Sequence, residues 1–139
     1  MKKIYILFFT ILLLLSCTQK KSNKVSEKME TDSLSYFMKL INSTKTSEIQ
    51  KFDHTNKALV LISKSKNTQV LRDTLFSVLL RYYNNQDWVN FNKSYKLLLA
   101  NSKASKDSLN LAKSYRYRAN YLKKIQSNDS AFYYYTKAE

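Results

Sequence analysis

The chain has 139 residues with no glycine and no proline, where ordinary usage of roughly 7% and 5% would supply about ten and seven. Loops that cradle a phosphate or dinucleotide on a glycine turn are therefore excluded, as are glycine-turned β-hairpins and collagen-like repeats, and an all-α chain is what remains. Hydrophobic residues at 44% suffice for a core in one domain, and 24 basic against 10 acidic residues leave a net charge of +14.

Residues 1–16 read as a targeting segment. Lys2 and Lys3 precede an apolar stretch, Ile4 to Leu15, interrupted only by Thr10. That stretch is too short to span a bilayer, which takes about twenty apolar residues, and suits the apolar core of a signal peptide. It ends in Leu14-Leu15-Ser16-Cys17, which resembles a bacterial lipobox. The resemblance implies cleavage before Cys17, a diacylglyceryl group on its thiol and a palmitate-type acyl chain on the new amine. Two or more chains anchor a protein stably where one does not. An uncut signal anchor with an incidental Cys17 is the alternative. Cys17 is the single cysteine, so no disulfide can form within the chain, and no partners exist for a thiolate metal site. Residues 17–31 are then a polar, basic tether whose lysines can also meet anionic headgroups.

From Asp32 onward apolar residues recur every three to four positions, the helical period. Six helices are expected: about 32–42 (Leu34, Phe37, Met38, Ile41), 47–65 (Ile49, Phe52, Leu59, Ile62), 69–84 (Leu71, Leu75, Val78, Leu79, Tyr82), 87–101 (Trp88, Phe91, Tyr95, Leu98), 107–125 (Leu111, Tyr115, Ala119, Leu122), and a sixth starting at Asp129 (Ala131, Tyr134, Tyr135, Ala138). Ser47 with Gln50 forms a capping-box pattern. Asp32, Asp87, Asp107 and Asp129 stand where carboxylates cap helix starts. Asn42, Asn67, Asn84, Asn85, Asn101 and Asn128 stand near the breaks, which suggests that asparagine supplies the left-handed residue glycine usually provides.

Leu75, Leu79, Tyr82, Phe91 and Tyr95 are followed forty residues later by Tyr115, Ala119, Leu122, Ala131 and Tyr135. A period of two helices and two turns predicts an α-solenoid of antiparallel helix pairs. The stretch Ala112 to Glu139, ending DSAFYYYTKAE, resembles a tetratricopeptide repeat (TPR). The resemblance places Tyr115, Ala119, Leu122, Ala131, Tyr135 and Ala138 at the packing sites of that repeat. It divides the chain into a degenerate pair at about 32–66, a fair one at 72–106 and a clear but incomplete one at 107–139. Phe91 stands where the repeat usually has alanine, so the third and fourth helices should splay, and Arg118 replaces a leucine, which should weaken packing against the neighbouring unit. A lipobox followed by tyrosine-rich repeats also resembles the sensory N-terminal region of bacterial TPR-containing sensor histidine kinases. That resemblance implies a sequence truncated at Glu139 and kinase chemistry in residues beyond it.

Residues for catalysis are sparse. His54 is the only histidine and reads as structural, Asp129 with Ser130 reads as a helix start, and neither a metal nor a cofactor is expected. Tyr133, Tyr134 and Tyr135 point about 100° apart on a helix, so at least one must face solvent or a partner. Lys113, Arg116, Asn120 and Lys123 fall on one face of the fifth helix. By the TPR resemblance that face lines a peptide groove, where the four suit acidic or carboxylate groups. Phe76, Leu80 and Tyr83 hold the corresponding places one unit earlier, so a two-unit carboxylate clamp is incomplete. The expected function is a non-enzymatic scaffold that binds a protein or peptide. By the lipobox resemblance it is expected to be lipid-anchored in the bacterial cell envelope and to face the periplasm. The alternative is the sensory part of a membrane histidine kinase. Nucleic acid, which the charge alone would suit, is disfavoured by the export segment, and no small-molecule substrate is evident.

Overall fold

The structure is a computed structural model that describes residues 32–139; the signal segment, Cys17 and the tether lie outside the described residues. Those residues form helices joined by short turns and irregular connections, without a strand among them. In chain order the helices are α1 (residues 32–41), α2 (Glu48–Lys64), α3 (Gln69–Asn84), α4 (Trp88–Ala104), α5 (Ser108–Lys124) and α6 (Asn128–Ala138). From α2 onward each packs on its successor, and α3 also meets α5. None of these helices is long and apolar enough to cross a membrane.

The expected helical stripes form the core. Leu71, Leu75, Val78, Leu79 and Tyr82 of α3 pack with Phe91, Tyr95 and Leu98 of α4, and with Ala58, Ile62, Leu34 and Ile41 from the first two helices. Each such side chain contributes about 1.5–3 kcal/mol by leaving water. Ile49 departs from its expected core place. It lies in the first turn of α2 and is 85% exposed, and α2 turns Thr55, Ala58 and Ile62 inward instead. Helix α4 runs three residues past the expected end, because Asn101 is an interior helical residue there and not a terminator.

α5 and α6 lie closer to one another, residue for residue, than α3 and α4. The physical reason is the pair of residues at the crossing. Ala119 and Ala131, both buried, let the backbones approach, whereas Leu79 and Phe91 occupy the equivalent places forty residues earlier.

Three of the connections are one turn repeated every twenty residues. Gln86, Lys106 and Gln126 have φ of 57°, 53° and 60°. After α3, the Gln86 amide donates to the Tyr83 carbonyl and the Asp87 amide to Tyr82; the turns at Lys106–Asp107 and Gln126–Ser127 repeat both bonds. This is the Schellman ending, in which a left-handed residue lets two amides return to the last helical carbonyls. The left-handed residues are thus glutamine and lysine. No asparagine takes glycine's place, since no described asparagine has positive φ and Asn85 sits at −83°. The residue after each left-handed one is also the N-cap of the next helix. Asp87 and Asp107 accept from the amides of Asn90 and Asn110, whose side chains donate back to them. At α6 the N-cap is Ser127, without a side-chain cap, and Asp129 lies inside the first turn, so Asp129 is not the cap expected of it. Residue 32 is itself helical, and the Ser47–Gln50 capping box is formed.

A left-handed residue with a Cβ costs about 1 kcal/mol, part of which glycine gives back through greater freedom in the unfolded chain. The triple variant Gln86→Gly, Lys106→Gly, Gln126→Gly is therefore expected to gain about 1–2 kcal/mol and to melt higher. Thermal unfolding followed by circular dichroism checks this; an unchanged or lower midpoint refutes it.

Candidate interaction surface

The helical spacing that builds the core also leaves a seam of half-buried aromatic side chains where α3, α4 and α5 meet. Phe76 and Tyr83 of α3 both lie edge-on to Tyr117 of α5, with ring centroids 5.5 and 5.2 Å apart. Trp88 contacts Tyr83 at 5.8 Å and Tyr121 at 5.1 Å, and the buried Phe91 packs 5.7 Å from Tyr83 and 5.5 Å from Tyr121. Edge-to-face geometry of this kind adds about 0.5–1.5 kcal/mol per pair beyond burial.

Cations cover this seam. Lys113 sits 4.9 Å over the Phe76 ring, and Lys124 sits 4.7 Å over Tyr83 and 5.5 Å over Trp88. Residues 113, 117, 121 and 124 are spaced four, four and three apart, a stripe that the helical period makes visible in retrospect. Burial, with Tyr117 and Tyr135 adding to it, pushes the Tyr83 phenol above its ordinary pKa. Deeper in, burial and then the Asp87 charge do the same to Tyr82.

The four residues expected to form a basic stripe are not one surface. Lys113 is turned against α3, over Phe76, and the Asn120 amide oxygen accepts from the Tyr135 hydroxyl at 2.6 Å, tying α5 to α6. Arg116 and Lys123 alone stand free and exposed, and no ion pair among the described residues involves either. The six residues given to packing all lie along the α5–α6 contact. Tyr115, Ala119, Leu122 and Ala131 are buried, while Tyr135 and Ala138 are half-buried. Of the tyrosine triplet, Tyr134 packs on Tyr115 at 6.0 Å and Tyr133 is the outward one, 53% exposed.

Arg118, expected to weaken packing, instead makes contacts to two neighbouring helices, although its Nε has no partner. Its guanidinium lies 5.4, 5.1 and 6.0 Å from the rings of Tyr95, Tyr121 and Tyr134, and it donates to the Asn92 amide oxygen. A flat cation stacks where a leucine would only fill space, and it joins α4, α5 and α6 at once.

The strongest electrostatic feature lies at one edge of the stack. Arg72 of α3 donates through Nε to Asp107 at 2.7 Å, with the two side chains only 8% and 7% exposed. Its remaining nitrogens reach Asn67, Ser105 and Gln69, and Asn110 bridges Asp107 to Asp73. Burial by itself would raise the Asp107 carboxyl. The hydrogen bonds from Asn110 and Arg72, with the guanidinium charge, outweigh it and hold the group far below the ordinary carboxylate range. The first turn of α3 is thereby tied to the α4–α5 connection across thirty-five residues of sequence. Sequence reading recognised Asp107 only as a cap; nothing local marks Arg72 as its partner.

His54 lies against the Phe37 ring at 5.7 Å, and its Nδ1 has no partner. An open groove of about 590 Å³ between α2 and α4 is lined by Asn56, Leu59, Val60, Ser63, Asn90, Lys93 and Leu97, apolar and amide groups with one cation. Among the described residues no cluster of His, Cys, Asp or Glu is arranged to hold a metal. No family model, curated protein or solved structure matches the chain.

Proposed function

We propose that the chain is a non-enzymatic scaffold of stacked helix pairs, an α-solenoid of TPR-like type, that presents its surface to a protein or peptide and is carried at the cell envelope by lipid on Cys17. The observation that supports the scaffold is the turn repeated at Gln86, Lys106 and Gln126, which returns each helix onto its predecessor. Forty residues separate the first and third of these turns, against 34 in a TPR. Helices of 16 and 17 residues account for the longer unit. A stack of this kind exposes long helical faces and positions few groups for chemistry. The lipobox resemblance supports the anchor.

Two experiments test the two halves of this reading. Cells fed an alkyne fatty acid are expected to label the chain and not its Cys17→Ser variant; equal labelling removes the anchor. Panning a displayed library of random peptides on the purified chain is expected to enrich a consensus that free chain competes away. A library that enriches nothing removes the scaffold function.

A further inference from the structure

The groove between α2 and α4 combines apolar, amide and cationic groups that fit one kind of occupant. Both walls belong to helices with described neighbours on either side in the chain, α1 and α3 for α2, α3 and α5 for α4, so its shape is set inside the stack. Leu59 and Val60 on α2 and Leu97 on α4 supply an apolar lining. A second hollow of about 350 Å³, lined in part by Phe37 of α1 and Leu61 of α2, shares Asn56 and Val60 with the groove and carries that lining on across α2. Each of the two asparagines in the groove is held by one end of its amide. The Tyr82 hydroxyl donates to Asn56 Oδ1 at 2.8 Å, and Asn90 Nδ2 donates to Asp87 at 2.7 Å. Asn56 keeps its amide nitrogen and Asn90 its amide oxygen without a partner among the described residues.

One oriented donor and one oriented acceptor on opposite walls match the C=O and N–H that an extended backbone carries unpaired. A helical segment uses those groups internally and would leave both amides unanswered. Lys93 stands exposed in the same lining and in no ion pair among the described residues. We propose that this groove binds an extended, acidic peptide segment of another protein, its backbone held by Asn56 and Asn90, an apolar side chain seated among Leu59, Val60 and Leu97, and a carboxylate over Lys93. This assignment rests on the scaffold reading and adds the place and the partner's chemistry; the groove is distinct from the α5 face that the TPR resemblance singles out. Charge decides among occupants. Residues 18–31 hold four lysines and two glutamates, and the whole chain 24 basic and 10 acidic residues, so neither the tether nor a second copy complements Lys93 as an acidic segment does.

The test is fluorescence anisotropy with the full chain in mild detergent and a labelled octapeptide in which leucine and serine alternate before two terminal glutamates, so that the extended form presents its leucines on one side. Val60→Lys keeps the attraction for an acidic peptide while obstructing the apolar lining, and is expected to weaken binding about tenfold or more. Lys93→Glu is expected to weaken it severalfold. Lys103→Glu makes the same charge change about 15 Å further along α4, beyond a screening length of about 8 Å, and is expected to alter affinity less than about twofold. The same peptide N-methylated at its central amides is expected to lose severalfold, because it has no N–H to give Asn90. All three replaced positions are exposed, so unchanged melting temperatures verify that the variants fold. Equal binding of the N-methylated peptide overturns recognition of an extended backbone. Equal weakening by Lys93→Glu and Lys103→Glu overturns the site in favour of bulk charge. Absence of octapeptide binding, or binding indifferent to Val60→Lys, overturns the groove, while the peptide library decides the scaffold separately. Tighter binding of a synthetic peptide of residues 18–31 assigns the groove to the tether, and sedimentation as a dimer that Val60→Lys dissolves assigns it to a second copy; either result overturns the proposal.

Discussion

Asp107→Asn is expected to lower the unfolding free energy by roughly 3–5 kcal/mol at pH 7, the cost of leaving a buried charge without its counter-charge. The variant keeps the shape of the side chain but strands the Arg72 guanidinium, which is 8% exposed. Replacing both partners, Arg72→Met with Asp107→Asn, should cost much less, since an apolar side chain needs no counter-charge. The pH dependence follows from the depressed carboxyl. In the unfolded chain the group titrates near the ordinary aspartate value of 3.8, and in the fold well below it. The pair's stabilisation is thus fully present above the unfolded value and declines as pH falls below it toward the folded one. Urea unfolding should show the gap between the wild type and Asp107→Asn at full size at pH 7 and narrower at pH 3. A gap that is constant or widens on acidification contradicts the assignment.

Phe91→Ala is expected to cost about 3–5 kcal/mol, the range for emptying a buried phenylalanine site. The ring is fully buried and touches Tyr83, Trp88, Tyr95 and Tyr121 from one position on α4. Four aromatic neighbours cannot all collapse into the space, because each is also held by its own contacts. Phe91→Leu fills most of the volume and should cost about half as much. Trp88 is the sole tryptophan and lies 6.1 Å from Phe91, so its fluorescence reports the loss directly. Emission should shift to the red in Phe91→Ala before global unfolding. An unshifted spectrum with wild-type stability would mean that the aromatic seam does not depend on Phe91.

The two effects differ in how far sequence alone reveals them. Phe91 belongs to a stripe with Tyr95 and Leu98, and a helical period of apolar residues declares a buried face without any partner being known. The Arg72–Asp107 pair joins the first turn of α3 to the α4–α5 connection, which only folding brings together, and each residue has an ordinary local reading. The same division runs through the candidate surface. Lys113, Arg116, Asn120 and Lys123 share a face by spacing, yet α3 takes Lys113 and α6 takes Asn120. Spacing fixes an angle on one helix, whereas what lies at that angle depends on the neighbours.

The missing glycine and proline, the apolar period and the aspartates at 87 and 107 are local properties, and they were enough to determine six helices, most of their ends and their buried stripes. Local energetics decide these features because a cap or an amphipathic turn is satisfied within a few residues. Tertiary structure decided the rest. It placed Gln86, Lys106 and Gln126 in the left-handed turn that asparagine was expected to fill, because the return of each helix onto its neighbour sets the geometry there whatever residue supplies it. It turned Arg118 from an apparent packing defect into a cation held among three rings. And it left Arg116 and Lys123 exposed on α5 while α3 took Lys113 and α6 took Asn120.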